Sequence, residues 1–282
     1  VVGTGGFAAG PAVHVAAALN IPVFLLNPDA VPGRANRNLA PRAVAIFTQW
    51  DATRTHFPAR LHDRIVAAGC PIRADFLAAT RDQGIARFDL DPARKTLLVT
   101  GGSQGARTIN QAIVALRRTL DANPDWQWIH ITGQGDHPAV ADAWADHPRV
   151  RVVAFTNAMP AALAAADLVI ARAGAVTLAE LTALGKPSIL LPLPHDPKMH
   201  QAANAAILAD AHAAIALQDA RDPALNARRL TPLLADLMAH PHRLAAIADA
   251  ARTLGRPHAA NAIAQRLADT ATPRRGPAGS AP

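Results

Sequence analysis

The sequence predicts an α/β protein in which parallel β-strands alternate with helices. Half of its 282 residues are hydrophobic, and they occur in short runs separated by Gly, Pro or charged residues. From Thr96 onward, each apolar run is followed by a Gly-rich or polar turn and then by a segment with helical periodicity. No run approaches the roughly 18 apolar residues that a membrane-spanning helix needs.

The larger part of the chain predicts a complete doubly wound domain over residues 96–270. Six strands are predicted at residues 96–100, 127–132, 150–154, 168–171, 188–191 and 213–217. Helical segments separate them, with one helix beginning near Gln104 and another around Ala175. Six strands with intervening helices are enough for a Rossmann-like sheet with helices on both faces.

A second, smaller α/β domain is predicted over residues 1–73. Its strands are predicted at residues 23–26, 44–47 and 65–67, with helices near residues 11–19 and 33–39. Three strands are too few for an independent sheet of this class, so this domain is predicted to be incomplete. Residues 74–95 are predicted to connect the two domains, and residues 271–282, which lack apolar periodicity, to form a disordered tail.

The charge balance is basic, with 28 Lys and Arg against 21 Asp and Glu. Aromatic residues make up only 4% and Tyr is absent, so nucleic-acid binding is not predicted. Arg34, Arg37 and Arg42 cluster in sequence with apolar residues, a mixture that can rest on an anionic membrane surface. The apolar residues are Leu39, Val44, Ile46 and Phe47. An ordinary solvated helix end is the alternative interpretation.

Metal binding is not predicted. Cys70 is the only cysteine, which excludes an intrachain disulfide and a site with several thiolates. His195 and His200 lie in a Pro-rich loop, but their spacing is not that of a zinc-binding helix and no further ligand cluster accompanies them.

The strongest chemical signal is the segment LLVTGGSQGAR, an apolar strand that continues into a Gly-rich turn and a helix. Glycines let the backbone approach an anion, the helix N-terminus adds partial positive charge, and the Ser103 hydroxyl can donate a hydrogen bond. We therefore predict a phosphate loop for a diphosphate, formed with Gly101, Gly102, Gln104 and Gly105. The alternative is a turn that needs Gly for its backbone and Ser as a helix N-cap.

A second signal follows the strand predicted at residues 168–171. Thr177 and Glu180 lie three residues apart, on one face of a helix. The carboxylate can accept two hydrogen bonds from a vicinal diol such as a ribose. A Thr/Glu capping box has the same spacing and needs no ligand, so both interpretations stay open.

These two segments and several others, in the order in which they occur in the chain, resemble the MurG family of N-acetylglucosaminyltransferases in peptidoglycan synthesis. The matching segments are VVGTGGFAAGPA, IPVFLLNPDAVPGRANR, GCPIR, GGSQGAR, AFTNAMP and ARAGAVTLAELTALGKPSILLPLPHDPKMHQAANA. The resemblance implies a GT-B fold of two Rossmann-like domains, with the sugar nucleotide bound by the C-terminal domain and the lipid acceptor by the N-terminal one. It also implies a role in cell wall biogenesis, and hence in cell shape and division.

The implied reaction is inverting transfer of GlcNAc from UDP-GlcNAc to undecaprenyl-pyrophosphoryl-MurNAc-pentapeptide, which converts lipid I to lipid II. It implies no cofactor or metal, and peripheral attachment to the cytoplasmic face of the bacterial inner membrane. A non-catalytic UDP-sugar-binding module, or a GT-B transferase with another acceptor, remains as an alternative.

The resemblance assigns UDP-GlcNAc contacts residue by residue. Ser103 and Arg73 would hold the diphosphate as UDP leaves. Thr156 marks the turn that reads the uracil edge, Glu180 would bind the ribose hydroxyls, and Gln201 would bind the GlcNAc ring. The remaining contacts would come from Ala175, Val176, Thr177, Leu178 and Ala179.

Two departures from the family pattern concern the acceptor domain. Gly3-Thr4-Gly5-Gly6 is followed by Phe7, where the family's first loop carries a catalytically implicated His. The segment matches the family's second Gly-rich loop instead, so the base is predicted to lie upstream and this chain to transfer poorly. Asn27-Pro28-Asp29 stands where the family has Glu-Gln-Asn, and Asp29 is retained as a candidate site residue because its side chain keeps an acceptor oxygen.

Overall fold

The computed structural model describes residues 1–102, 104–196 and 199–271. Contacts divide the chain into two compact units. The first unit contains Val1–Pro71 and the segment that starts at Arg256, and the second contains Ile72–Gly255. Among the described residues, no helix is both long and apolar enough to span a membrane.

The first unit contains a parallel sheet of four strands in the order β1-β2-β3-β4. The predicted strands are present with small shifts, and two residues at the N-terminus add a strand that was not predicted. The strands are β1 (Val2–Gly3), β2 (Phe24–Asn27), β3 (Ala45–Thr48) and β4 (Ile65–Val66). The helices of this part are α1 (Gly6–Ala18) and α2 (Arg34–Leu39), with 3-10 turns at Ala40–Arg42, Asp51–His56 and Ala59–Arg64.

The apolar residues near the basic cluster are mostly buried, because they form the core of this unit. Leu39, Ile46 and Phe47 are 7% exposed or less, so the prediction that they contribute to a membrane-facing surface is wrong. Val44 is 47% exposed, and Arg34, Arg37 and Arg42 are also on the surface.

The second unit contains a six-stranded, all-parallel sheet in the order β10-β9-β8-β5-β6-β7. This is the Rossmann order 3-2-1-4-5-6, so the predicted fold class is confirmed and the topological switch point lies between β5 and β8. The strands are β5 (Lys95–Thr100), β6 (Trp126–Ile131), β7 (Val150–Val153), β8 (Leu168–Ala171), β9 (Ser188–Leu190) and β10 (Ile215–Ala216). Both central strands are almost wholly buried, and β8 is wholly apolar, as expected for a sheet covered by helices on both faces.

Ten helices of the second unit follow in chain order among its described residues. They are α3 (Ala74–Ala78), α4 (Arg81–Phe88), α5 (Arg107–Val114), α6 (Arg117–Asp121), α7 (His137–Ala143), α8 (Met159–Ala165), α9 (Ala175–Leu184), α10 (His200–Asp210), α11 (Pro223–Ala239) and α12 (Pro241–Leu254). Helix α9 begins at the predicted residue. Helix α5 begins three residues later than predicted, because Gly105 adopts a left-handed backbone with φ of 75°.

Residues 74–95, predicted to connect the domains, contain helices α3 and α4 and pack within the second unit. Thr80 and Gln83 form a capping box at the start of α4. The Arg81 guanidinium donates to the Ala165 carbonyl at 2.8 Å and to the Asp167 carboxylate at 3.1 Å. These bonds attach the segment to the loop that precedes β8.

The last described helix, α13 (Ala259–Ala271), belongs to the first unit although it follows the second in sequence. Ile263 joins a buried cluster with Phe24 and Phe47 of β2 and β3. The predicted C-terminal domain boundary at residue 270 therefore differs from the division by contacts. The predicted tail lies outside the described residues, apart from Ala271, which ends α13.

Candidate active site

The carboxyl ends of β5 and β8 open onto a cavity of about 600 Å³. Its volume falls within the range of roughly 300 to 1,000 Å³ that is common for small-molecule sites. The cavity lies at the switch point of the sheet, where doubly wound domains bind ligands. Seven of the predicted site residues line it, namely Gly101, Gly102, Gln104, Gly105, Thr177, Glu180 and Gln201.

The Gly-rich turn after β5 forms one wall of the cavity. The Gly105 N–H donates to the Gly102 carbonyl at 3.0 Å and closes the turn. A Cβ on Gly105 would lie 2.1 Å from the Thr132 carbonyl oxygen, so this position accepts only glycine. Ser103 lies outside the described residues, and its role in binding the diphosphate stays a prediction.

Helix α5 leads away from this turn, and among the described residues no side chain caps it. Its N-cap residue is Ala106, and the alternative role of Ser103 as a helix N-cap lies outside the described residues. Uncapped first-turn N–H groups and the helix dipole together favour an anion at this end of the helix. The turn and the helix therefore have the geometry of a phosphate site.

Thr177 and Glu180 lie inside α9, beyond its first residues. The N-cap of α9 is Gly174 and no side chain caps the helix, so Thr177 is its third residue and Glu180 its sixth. A capping box needs its Thr at the N-cap, which excludes the structural alternative for this pair. Both side chains instead line the cavity.

Glu180 is held in an environment that disfavours its charged form. Burial raises the pKa of its carboxyl to about 7, with Asp75 adding to the rise and Arg73 opposing it. Glu180 is also the only glutamate of the 282 residues, since all other acidic side chains are Asp. A half-buried carboxylate at the edge of a cavity is a group that ligand hydroxyls can stabilise by donating hydrogen bonds.

Arg73 lies close enough to affect the Glu180 carboxyl electrostatically. Its side chain is 61% exposed, and its Nε is 3.4 Å from the Asp75 carboxylate. The guanidinium lies over the Phe76 ring, 5.1 Å from the centroid. This places a cation near the Glu180 carboxyl, while the predicted contact of Arg73 with the diphosphate stays a prediction.

Gln201 has a more restricted role than the sequence suggested. Its Oε1 accepts hydrogen bonds from the Ala173 N–H at 3.2 Å and the Leu193 N–H at 3.0 Å. These bonds connect the loops that follow β8 and β9. The contact of Gln201 with the GlcNAc ring stays a prediction, and the Oε1 atom already accepts these two bonds.

The other predicted residues lie around the same end of the second unit. Thr156 Oγ1 accepts from the Ala158 N–H at 3.0 Å and closes the turn that enters α8. Beside it, Phe155 is a 52% exposed aromatic ring that the sequence analysis did not select. Ala175, Leu178 and Ala179 are buried while Val176 is exposed, and these four predicted residues are not among those that line the cavity.

Asp29 belongs to the first unit, where it follows β2. The Asn27 side chain donates to the Asp29 backbone carbonyl at 2.7 Å and fixes the turn. Its role as a donor-site residue stays a prediction.

Three further residues at the cavity were missed from the sequence. Arg172 and Thr108 line the cavity, and Asp219 pairs with Arg172. The one local signal was an arginine placed directly after a wholly apolar strand.

Within the described ranges 1–102, 104–196 and 199–271, no group of three or more His, Cys, Asp or Glu is arranged to hold a metal ion. Metal independence itself stays a prediction.

Residues 96–266 match the glycosyltransferase family 28 C-terminal domain. With its two parallel α/β sheets, the chain is therefore a glycosyltransferase of the GT-B class. A UDP-N-acetylglucosamine–N-acetylmuramyl-(pentapeptide) pyrophosphoryl-undecaprenol N-acetylglucosamine transferase from Halothermothrix orenii is 37% identical over 278 residues, which cover 96% of this chain and 74% of that protein. This chain belongs to the same family, the MurG N-acetylglucosaminyltransferases.

Solved structures agree with this assignment. The crystal structure of Acinetobacter baumannii MurG has a TM-score of 0.75 and 28% identity, covering 95% of this chain and 74% of that one. A UDP-GlcNAc 2-epimerase from Neisseria meningitidis, bound to UDP-GlcNAc, has a TM-score of 0.70 at 15% identity, covering 95% and 75% of the two chains. At that identity the epimerase supports the fold alone.

Proposed function

We propose that this protein transfers GlcNAc from UDP-GlcNAc to the MurNAc of undecaprenyl-pyrophosphoryl-MurNAc-pentapeptide. The names of its relatives state this reaction. The observation that carries the proposal is that the Gly-rich turn after β5 and the Thr177–Glu180 face of α9 line one cavity. An anion site and a diol acceptor in one cavity fit a sugar nucleotide.

The donor lies along this cavity in our proposal. Its diphosphate meets the Gly101–Gly105 turn and the N-terminus of α5, with Ser103 and Arg73 as further donors. Glu180 accepts hydrogen bonds from the ribose hydroxyls, and the turn at Thr156 reads the uracil edge. The Gln201 amide donates to a hydroxyl of the GlcNAc ring.

In the reaction, the MurNAc hydroxyl attacks the anomeric carbon from the side opposite UDP. The new glycosidic C–O bond forms as the C–O bond to UDP breaks, so the configuration inverts. Negative charge develops on the departing diphosphate, where the backbone N–H groups of α5 and the Arg73 guanidinium stabilise it. The hydroxyl proton passes to a base that we do not assign to a residue of this chain.

We also propose that the first unit attaches the protein to the anionic cytoplasmic face of the inner membrane. Leu19, Ile21 and Val44 are 65%, 44% and 47% exposed. The Val44 N–H donates to the Val23 carbonyl, so Ile21 and Val44 lie near the amino ends of β2 and β3. Together with Arg42 they form a surface, here called the apolar–basic rim, that combines apolar side chains with positive charge.

Calorimetric titration with UDP-GlcNAc tests the donor site, with ADP-glucose and GDP-mannose as controls for the base. We expect selective binding of the uridine sugar. Glu180→Ala is expected to weaken it by about 1 to 3 kcal/mol, as for loss of a charged hydrogen-bond partner. Glu180→Asp keeps the charge but withdraws it by one methylene, so it should also bind less tightly.

Asp142→Ala, an exposed acid on α7, is the matched control and should bind like the wild type. Equal dissociation constants for the wild type and Glu180→Ala would contradict the proposed site. Donor binding without transfer to the lipid acceptor would favour a non-catalytic UDP-sugar-binding module.

A further inference from the structure

A buried ion pair lies at the wall of the cavity. Arg172 directly follows β8, and its Nη1 is 2.7 Å from the Asp219 carboxylate. The two side chains are 11% and 0% exposed. Burial raises the pKa of the Asp219 carboxyl, but hydrogen bonds from Thr108, Asn226 and Arg172 outweigh it and hold the pKa below its usual value. The pair is therefore ionised and strongly constrained.

Asp219 is fixed by its other contacts. Its Oδ1 accepts from the Asn226 side chain at 2.8 Å and from the Arg221 N–H at 2.8 Å. Its Oδ2 accepts from the Thr108 hydroxyl at 2.5 Å as well as from Arg172. Asp219 thus acts as a buried anchor for the guanidinium.

The Arg172 guanidinium connects two segments that surround the cavity. Its Nη1 donates to the Leu191 carbonyl at 3.0 Å and the Pro192 carbonyl at 3.2 Å, at the start of the loop after β9. Its Nη2 donates to Thr108 Oγ1 at 3.0 Å, in the first turn of α5. A planar fork of N–H donors can make these bonds at once, which a single ammonium group cannot.

The two segments that Arg172 connects serve opposite ends of the donor. Thr108 belongs to the helix whose N-terminus faces the diphosphate. Leu191 and Pro192 lead into Leu193, whose N–H donates to Gln201 on the sugar side. Because its charge is paired with Asp219 and its donors contact these segments, Arg172 acts as a cross-link and not as a phosphate ligand.

We propose that Arg172 is a positioning residue that sets the sugar subsite relative to the diphosphate subsite. The inference rests on the proposed UDP-GlcNAc function and deepens it. The proposal requires that loss of the cross-link weakens binding of the sugar more than binding of the nucleotide, since uracil and ribose bind at the other end of the cavity.

The test compares the affinities for UDP and UDP-GlcNAc by calorimetry in the wild type and in Arg172→Lys. Lysine keeps the charge opposite Asp219 but loses the fork. We expect the affinity for UDP to change little and that for UDP-GlcNAc to fall roughly tenfold, the effect of one charged hydrogen-bond arrangement. The ratio of the two dissociation constants is the readout, because general destabilisation would not change it.

Two more variants make the test decisive. Thr108→Val removes the hydroxyl that joins α5 to the ion pair but retains Arg172 and Asp219. It should shift the ratio of the two dissociation constants in the same direction as Arg172→Lys. If Arg172→Lys does not fold, Thr108→Val provides the test. Arg117→Lys is the matched control, since Arg117 forms an exposed fork with Asp146 at 2.8 and 2.9 Å and should leave the ratio unchanged.

Equal loss of affinity for UDP and UDP-GlcNAc in Arg172→Lys would overturn the positioning role and indicate a general or phosphate-binding role. An unchanged ratio in both Arg172→Lys and Thr108→Val would overturn it as well. If the wild type fails to bind UDP-GlcNAc, the proposed function fails and this inference with it. The wild-type titration thus distinguishes failure of the proposed function from failure of the positioning role.

Discussion

The burial of the Glu180 side chain predicts that ligand binding depends on pH. Its pKa of about 7 means that the carboxyl gains a proton over the range from pH 8 to 6. Ribose hydroxyls donate to the ionised form, so the donor binds the deprotonated protein. We expect the affinity for UDP-GlcNAc to fall by about tenfold between pH 8 and 6, as the ionised fraction falls.

Calorimetry at several pH values between 6 and 8 measures this dependence. Glu180→Gln cannot ionise, so its weaker binding should be nearly constant over the same range. A slope in Glu180→Gln equal to that of the wild type would assign the titration to another group.

His130 determines part of the acid sensitivity of the fold. Its ring is buried in β6, and burial lowers its pKa to about 3. The neutral ring contacts the Asn110 side chain at 3.0 Å. Below the ordinary histidine pKa of about 6.5 the unfolded chain binds a proton that the folded chain does not. Above pH 6.5 the neutral His130 therefore does not lower the free energy of unfolding. As the pH falls from 6.5 toward 3, proton uptake by the unfolded chain lowers this free energy progressively.

Urea unfolding at pH 7.5 and 5.0 tests this role of His130. The residue should account for about 2 kcal/mol of the difference in the free energy of unfolding. His130→Gln should show a smaller difference between the two pH values. His14→Gln, on the exposed face of α1, should retain the wild-type difference. Equal differences in the wild type and His130→Gln would contradict the assignment.

At the scale of elements, two glycines of the turn between β5 and α5 are expected to have different roles, Gly105 in folding and Gly102 in binding. Gly105→Ala would place a methyl group 2.1 Å from the Thr132 carbonyl oxygen, so we expect a loss of about 1 to 3 kcal/mol in the free energy of unfolding. Gly102→Ala meets no atom within 4 Å, although its φ of 80° adds a cost of about 1 kcal/mol.

Thermal unfolding and UDP titration of both variants distinguish the two effects. Gly102→Ala should remain folded but bind UDP less tightly, because its methyl group occupies the wall of the cavity that faces the diphosphate. Equal stability of the two variants would show that the close approach at Gly105 does not constrain the turn.

The strands of the second unit were predictable because each is a short apolar run bounded by turn residues. The predicted range 168–171 coincides with β8, and β5 differs by one residue. Periodicity could not reveal that the turn delays α5 to Arg107, since this depends on the backbone of Gly105 against Thr132. Likewise, the helices in residues 74–95 are stabilised by bonds from Arg81 to the loop before β8, which no local pattern contains.

The candidate site was predictable where its chemistry is local. The phosphate turn and the Thr177–Glu180 pair are each a single short segment, and both line the cavity. The Arg172–Asp219 pair was not predictable because its members lie 47 residues apart and meet only through the order of the strands. Gln201 was predicted as a ligand, but two backbone N–H groups already occupy its oxygen.

At the scale of the whole molecule, the two units do not simply follow one another in sequence, because the first unit contains both ends of the described chain. Helix α13 packs on β2 and β3 through Ile263, far along the sequence from both strands. Its own apolar periodicity is compatible with packing on either sheet, and the sequence placed it in the larger domain, whereas its contacts place it in the first unit. The fold class followed from repeated local units, whereas the division into units depends on contacts between distant segments.

The molecule as a whole carries a formal charge of +7, so the proposed membrane attachment must be distinguished from a general attraction to anions. If the apolar–basic rim forms the contact, the protein should co-float with vesicles of anionic lipid at low salt. Arg42→Glu should reduce flotation by about 2 kcal/mol in binding free energy, because each basic residue near such a surface contributes about 1 kcal/mol. Val44→Asp should also reduce it, since the charge opposes insertion of this side chain.

Arg228→Glu on the exposed face of α11 changes the net charge by the same amount and provides the control for flotation. It should co-float like the wild type, because Arg228 belongs to the second unit and is not part of the apolar–basic rim. Equal losses for Arg42→Glu and Arg228→Glu would mean that net charge alone attracts the protein. Because Val44→Asp adds only one negative charge, a larger effect than that of Arg228→Glu would identify the apolar contact at the rim.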